Sequence, residues 1–193
     1  MTGLSQQRAD VAAAAAEEAR HPKGLESGLS PAEFKLAFRH HAAGVAVVTA
    51  DAGDGPVGIT VSSLFSVSAE PPLMVFSISN TSSSAPAIQR AETLVVHLLG
   101  SQHLELARLC STAGVDRFAD TSIWRRLPTG EPLYPDVPVW IRGRVINRME
   151  AGNSTVIAIH ALESQFADDA TTTPLVYHNR TWHALGDASR LDD

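Results

Sequence analysis

The sequence predicts a mainly β fold with short helices, closed or sandwiched as a β-barrel, and three observations lead there. Apolar runs rich in Val, Ile and Phe recur at strand length along most of the chain. Turns or short helices separate them, and the strand-to-helix alternation of a doubly wound parallel sheet is missing. Neither GxGxxG nor GxxxxGKS/T occurs, so a Rossmann or P-loop nucleotide site has no support.

In chain order, residues 1–29 read as a flexible arm, 30–186 as one folded domain and 187–193 as a tail. The alanine-rich stretch 11–16 runs straight into Glu17 and Glu18, the pattern of a frayed helix. Ser30, Pro31 and Glu33 have the spacing of a capping box with proline at the first helical position. They start a helix of about three turns that carries Phe34, Phe38 and His41 and ends at Gly44. Residues 45–50, V-A-V-V-T-A, form a strand, and the D-A-G-D-G turn at 51–55 makes a hairpin with a long second arm, 57–67. Glu70-Pro71-Pro72 breaks the chain before the strand 73–78, because proline donates nothing to a ladder and restricts its predecessor. A strand follows at 93–99, and an amphipathic helix starts at Ser101 with Leu104, Leu106, Leu109 and Cys110. Residues 124–138, rich in proline, glycine and charge, read as a long surface loop. Strands at 139–149, 154–164 and 175–185 complete the domain.

Composition removes several function classes. The 193 residues include 15 basic and 21 acidic side chains, a net charge of −6, with no Lys/Arg run to track a phosphate backbone. Nucleic acid is therefore not an expected partner. The single cysteine, Cys110, allows neither an intrachain disulfide nor a CxxC pair, which fits a reducing cytoplasm. No apolar stretch reaches the ~18 residues of a membrane helix, and the start lacks the pattern of a signal peptide.

Chemistry concentrates in 56–84. Its two apolar runs are interrupted by hydroxyls, which marks either a half-solvated edge or one wall of a polar ligand site. Thr60, Ser62, Ser63, Ser77, Ser79, Ser82, Ser83 and Ser84 supply neutral donors and acceptors, and the segment has no Lys, Arg or Asp. That suits an uncharged planar heterocycle with amide-like edges. Ser84 before Ala85-Pro86 has the position of an N-cap, where free N–H groups can receive a phosphate. The competing reading is a serine turn that is merely solvated. Arg117 either grips a phosphate or pairs with Asp116 or Asp120. Cys110 reads as a small buried hydrophobe. No metal site is expected: His178 and His183 are an odd number apart and on one regular strand point to opposite faces.

Several segments in order resemble one family. G-V-A-V-V-T at 44–49, P-V-G-I-T-V-S-S-L-F-S-V-S-A-E-P-P-L at 56–73, the downstream S-S-S, D-R-F at 116–118 and P-L-V-Y-H-N at 174–179 are similar to the flavin reductase-like family of FMN-binding split barrels. The resemblance implies a homodimer of Greek-key split barrels with flavin near the dimer interface. It also implies that NADH or NADPH reduces FMN or FAD, and that reduced flavin leaves for a partner flavin-dependent monooxygenase. By the same resemblance Val57, Gly58, Thr60, Ser62 and Ser63 line the flavin ring and ribityl chain, with Ser77 and Ser79 beside them. Ser83 and Ser84 hold the phosphate, and Tyr177, His178 and Asn179 meet the nicotinamide nucleotide. Two departures stand out. Gly152-Asn153-Ser154 replaces a Gly-Asp-His frequent in relatives, which puts Ser154 where a histidine faces the hydride donor. His41-Ala42-Ala43-Gly44 stands where relatives have Pro-Thr/Ser-Gly. The expected activity is an NAD(P)H:flavin oxidoreductase, and the alternative is an FMN-binding protein that holds its flavin tightly.

Overall fold

In a computed structural model of the chain, residues 28–166 and 173–191 are described, so the stretch 11–16 lies outside them. The chain divides into two units, Met1–Phe38 and Arg39–Asp193. In the first, helix α1 (Pro31–Phe38) begins with the expected capping box: the Ser30 N–H donates to the Glu33 carboxylate at 2.9 Å and the Glu33 N–H donates to Ser30 Oγ at 3.3 Å. The helix is about one turn shorter than predicted. The downstream residues serve a different ladder: Ala43–Gly44 is strand β1 and pairs with Tyr177 and Val176.

The second unit is built from antiparallel strands. They are β2 (Ala46–Asp51), β3 (Pro56–Val61), β4 (Phe65–Ala69), β5 (Pro72–Ser79), β6 (Thr93–Leu98), β7 (Arg125–Arg126), β8 (Pro132–Leu133), β9 (Trp140–Ala151), β10 (Ser154–Gln165), β11 (Leu175–His178) and β12 (Thr181–Ala184). Helices α2 (Ala85–Arg90) and α3 (Leu104–Ser111) interrupt them. A seven-stranded sheet has the order β3-β2-β6-β9-β10-β5-β4, a three-stranded one β1-β11-β12, and β7 pairs with β8.

The predicted arm 57–67 is two strands, and they occupy opposite edges of the large sheet. Only Ser62, Ser63 and Leu64 join β3 to β4. That link spans at most about 14 Å, whereas seven flat strands would hold their edges about 29 Å apart. The sheet must therefore curl until its edges approach. Ser63 reinforces the approach, since its Oγ donates to the Ser77 carbonyl and accepts from the Ser77 N–H, both at 3.0 Å.

Strand β2 is buried on both faces, which explains its unbroken apolar run. Ala46, Val48 and Ala50 join Phe76, Ile78, Ile88, Leu94, Ile157 and Ile159 in one core. Val45 and Val47 join Leu99, Cys110, Phe118, Tyr134 and Leu175 in a second core under α3. Packing between β9 and β10 is tight enough to demand glycine at 143, where a Cβ would lie 2.2 Å from Ile159 Cγ2 and 3.0 Å from the His160 carbonyl.

Residues 124–138 are not the surface loop that their composition suggests. Leu133, Tyr134 and Val137 are fully buried, and the Glu131 carboxylate is buried against Arg142 Nε at 2.7 Å. His97 on β6 fastens the segment: its Nδ1–H donates to the Val47 carbonyl at 3.1 Å, and its Nε2 accepts the Tyr134 N–H at 3.1 Å. A carbonyl can only accept and an N–H only donate, so the ring is the neutral Nδ1–H tautomer. Burial pushes its pKa down from 6.5 to about 4.

The folded state thus resists protonation that the unfolded chain accepts below pH 6.5, so the unfolded chain binds more protons between 6.5 and about 4. Stability should be flat for this group above 6.5 and fall by up to roughly 3 kcal/mol as pH drops to about 4. Urea unfolding at a series of pH values checks this, and His97→Gln should flatten that part of the profile.

Candidate functional site

Strand β3 is a wall with two different faces. Val57 and Ile59 pack on the first core with buried Val61. Gly58 and Thr60 face the other way, toward α3. A Cβ on Gly58 would sit 3.5 Å from both Cys110 Sγ and Phe118 Cζ. Thr60 Oγ1 donates to the Ala107 carbonyl of α3 at 2.6 Å. The hydroxyl of Thr60 therefore ties a strand to a helix, an alternative beyond the solvated edge and the ligand wall weighed from the sequence.

Ser84 also departs from its expected role. It occupies the N-cap position of α2, but it is 1% exposed and makes no side-chain cap; its Oγ donates to the Gly58 carbonyl at 2.9 Å. The Ala85 N–H goes to the Ser82 carbonyl and the Ser84 N–H to Ser82 Oγ. The hydroxyl proton that a phosphate would need is committed inside the protein. Ser83, next to it, is exposed.

The remaining hydroxyls collect on the outer side of the large sheet. Met74, Phe76 and Ile78 point inward from β5, so Ser77 and Ser79 point outward. Ser154 of β10 lies opposite Ser79 in the ladder, and Ser79 Oγ bonds Thr81 Oγ1 at 2.8 Å. The turn after Ser79 is pinned to the β9–β10 hairpin: the Asn80 N–H donates to the Asn153 carbonyl, and Thr155 and Gln89 both donate to Asn80 Oδ1. Ser62 is exposed and Ser63 is held on Ser77. Phe65 and Met149, both 58% exposed, share this face with Val75 and Val156. Its exposed donors are neutral hydroxyls beside apolar surface, a chemistry that fits a flavin ring with uncharged polar edges.

Tyr177 and His178 belong to the three-stranded sheet, and Asn179 to the turn that follows, rather than to this face. Tyr177 packs on Trp182 with ring centroids 4.7 Å apart. The segment 175–185 is a hairpin and not one strand: Asn179 and Arg180 take φ of 47° and 63° at a two-residue turn. The parity argument about histidines fails with it, since the His178 and His183 rings lie 5.8 Å apart. No third metal-capable side chain joins them among the described residues.

Arg117 follows neither reading made from the sequence. Its Nε donates to the Cys110 carbonyl at 3.3 Å and its guanidinium to the Thr112 carbonyl at 2.9 Å, capping the end of α3. Phe118 stacks on Tyr134 and meets Trp124 edge-on, while Tyr134 Oη donates to the Arg117 carbonyl at 3.0 Å. Cys110 is buried, and that burial pushes its thiol up to about 11, an inert state. A cleft of about 470 Å³, lined by Asp51, Thr93, Arg126 and Glu131, and an apolar one of about 270 Å³ beside α3, lined by Leu106, Leu109, Ile123 and Tyr134, lie away from the hydroxyl face.

A family model described as "Flavin reductase like domain" matches residues 38–186. The chain is 42% identical over 164 residues to an NADH:FMN oxidoreductase of Rhodococcus qingshengii, covering 82% of this chain and 84% of that one. It is 29% identical over 150 residues to the reductase component of a 4-nitrophenol 4-monooxygenase/4-nitrocatechol 2-monooxygenase of Rhodococcus opacus, covering 78% of each. A crystal structure of a flavin reductase domain protein from Arthrobacter sp. FB24 superposes with a TM-score of 0.78 at 34% identity, over 85% of this chain and 99% of that chain.

The hydrogen bonds separate structural from presented hydroxyls. Ser84→Ala and Thr60→Val should each lower the unfolding free energy by about 1–2 kcal/mol, and Ser83→Ala by less than about 0.5 kcal/mol. Urea denaturation measures all three; equal losses at Ser83 and Ser84 would contradict these orientations.

Proposed function

The chain belongs to the flavin reductase like domain family, and from that membership we propose that it is an NAD(P)H-dependent flavin reductase that supplies reduced flavin to a partner monooxygenase. The 42% identity to an NADH:FMN oxidoreductase, over most of both chains, carries the reading. FMN or FAD is the acceptor and NADH or NADPH the donor. The monooxygenase partner is supported by the relative that is a monooxygenase's reductase component.

The bound flavin supplies the ring that accepts the hydride. The protein's part is to bind, align and exclude water. The ring and ribityl chain lie along Val57, Gly58, Thr60, Ser62, Ser63, Ser77 and Ser79, with Ser83 reaching the phosphate. Thr60, within that set, and Ser84, outside it, act as positioning residues: one holds β3 to α3, the other holds the Gly58 carbonyl. Ser154 lies where the donor approaches, and its register opposite Ser79 supports that placement. A serine there has no proton to give near neutral pH, so protons reach the reduced flavin from solvent. Tyr177, His178 and Asn179 contact the nicotinamide nucleotide.

The large sheet closes as a Greek-key split barrel, a reading supported by the three-residue link between its edge strands. The protein works as a homodimer. Phe65, Val75, Val156 and Met149 give the outer face an apolar character that a second copy would cover, enclosing the adjacent hydroxyls. No helix among the described residues is long and apolar enough to cross a membrane. The buried lone thiol is consistent with a cytoplasmic setting.

Loss of reduced-nicotinamide absorbance should accelerate when FMN or FAD is added to the purified protein; no acceleration with any donor and flavin pair overturns the reading. Ser83→Asp should raise the Kd for FMN about tenfold through like-charge repulsion and leave riboflavin, which lacks the phosphate, unchanged. Met149→Glu should shift sedimentation from dimer to monomer and weaken flavin binding with it.

A further inference from the structure

Residues 39–50 and 173–186 contain no Asp or Glu, in a chain whose net charge is −6. The fold brings these two acid-free segments together. Ala43 of β1 lies opposite Tyr177 of β11, and the Asn179 N–H donates to the Arg39 carbonyl at 3.1 Å. The hairpin turn carries Arg180 beside Asn179, and the ladder sets His178 near His183. Arg39, His40, His178, Arg180 and His183 thus converge on one corner of the second unit.

Neither guanidinium there is neutralised by a described residue. Arg39 and Arg180 form no ion pair with any described residue, although Arg90, Arg108, Arg126, Arg142, Arg144 and Arg190 each do. Arg39 Nε is the one enclosed side-chain nitrogen or oxygen among the described residues that has no hydrogen-bond partner. An enclosed donor left without an acceptor costs about 1–3 kcal/mol. Among the described residues the arrangement is a donor set that lacks its acceptor. Guanidinium forks match the oxygens of a phosphate, and two of them are too few to hold a nucleic acid backbone.

We infer that this corner binds the phosphate bridge of the nicotinamide dinucleotide, recognising the hydride donor by its charge and not only by its ring. The identity of the ligand rests on the reductase reading; the anion site itself does not. Its place beside Tyr177, His178 and Asn179 joins it to the residues assigned to the donor. It is also distinct from Ser83, which lies at the start of α2 and serves the flavin phosphate.

Two variants test the assignment. Arg180→Gly removes a charge at a φ of 63°, a conformation glycine adopts freely, so the hairpin is preserved. Arg39→Gln removes the second charge independently. Calorimetric titration of the full chain with ADP, which has the phosphate bridge but no nicotinamide, should show binding that either variant weakens about tenfold or more. In steady state, the preference in kcat/KM for NADH over reduced nicotinamide riboside, a donor without phosphate, should fall about tenfold in each variant. The inference is overturned if ADP does not bind the unaltered protein, or if both donors lose equally. Loss of ADP binding in the variants, with no flavin reduction by any form, would support the anion site while removing the reductase reading.

Discussion

The constraint on which the rest of the structure depends is the short passage from β3 to β4. Strands at opposite edges of a seven-stranded sheet are joined through Ser62, Ser63 and Leu64 alone. A chain that short leaves no flat solution, so the curl of the sheet is forced by connectivity before any side chain packs. The consequences spread from there. Curling gives the sheet an inside, filled by Phe76, Ile78, Ile157 and Ile159, and an outside that carries Ser77, Ser79 and Ser154. Ser63 sits within that link and offers one hydroxyl as both donor and acceptor to Ser77, replacing the ladder that a longer β4 would make. The hydroxyl face is thus a product of the same geometry that encloses the core.

Behind β3 a second layer sets where that strand lies. His97 holds the backbone at Tyr134; Tyr134 holds the Arg117 carbonyl and stacks on Phe118; Phe118 lies against Gly58. Thr60 and Ser84 complete the arrangement by bonding the α3 and β3 carbonyls. Each of these groups is buried or half-buried with a defined partner, so a change at His97 is felt at the wall of the site without touching a ligand. A buried neutral imidazole bonded on both nitrogens is rigid as well as costly to protonate. Arg117 performs the matching task at the end of α3, where its guanidinium satisfies carbonyls that the helix itself cannot.

Elements with local chemistry were legible in the sequence, and those decided by distant partners were not. The Ser30–Glu33 capping box, the 51–55 turn with Asp51 accepting from Gly53 and Gly55, and the break at Pro71-Pro72 all follow from residues within a few positions of one another. The split of 57–67 was hidden because both halves have the same strand-like composition and nothing at Ser62–Leu64 resembles a turn signal. The hairpin at Asn179-Arg180 lacks the glycine that normally marks such a turn. Residues 124–138 read as surface because their charges are visible in sequence, whereas the pairing of Glu131 with Arg142 and of Arg126 with Asp51 is not. In the candidate site, composition identified the hydroxyl stretch but could not tell inward Ser84 from outward Ser83, neighbours that differ only in backbone direction. The D-R-F at 116–118 carried a family resemblance but not the turn of Arg117 back onto the end of α3, and the 39–41 corner had as its signal only the absence of acidic residues around it.

The distribution of charge fits a protein that gives its flavin away. Hydrogen bonds between neutral groups contribute about 0.5–1.5 kcal/mol each, and those to charged groups about 1.5–3 kcal/mol. A stretch of hydroxyls without Lys or Arg can therefore select a flavin by shape and hydrogen-bond pattern while holding its phosphate only weakly. A guanidinium at Ser83 would tighten the flavin by an order of magnitude or so and slow its release. The acid-free corner at Arg39 and Arg180 has the opposite character, and charge-assisted contacts suit a donor that must be captured from dilute solution. Placing the weak contacts on the ligand that departs reduced and the strong ones on the ligand that arrives charged lets one small domain exchange both.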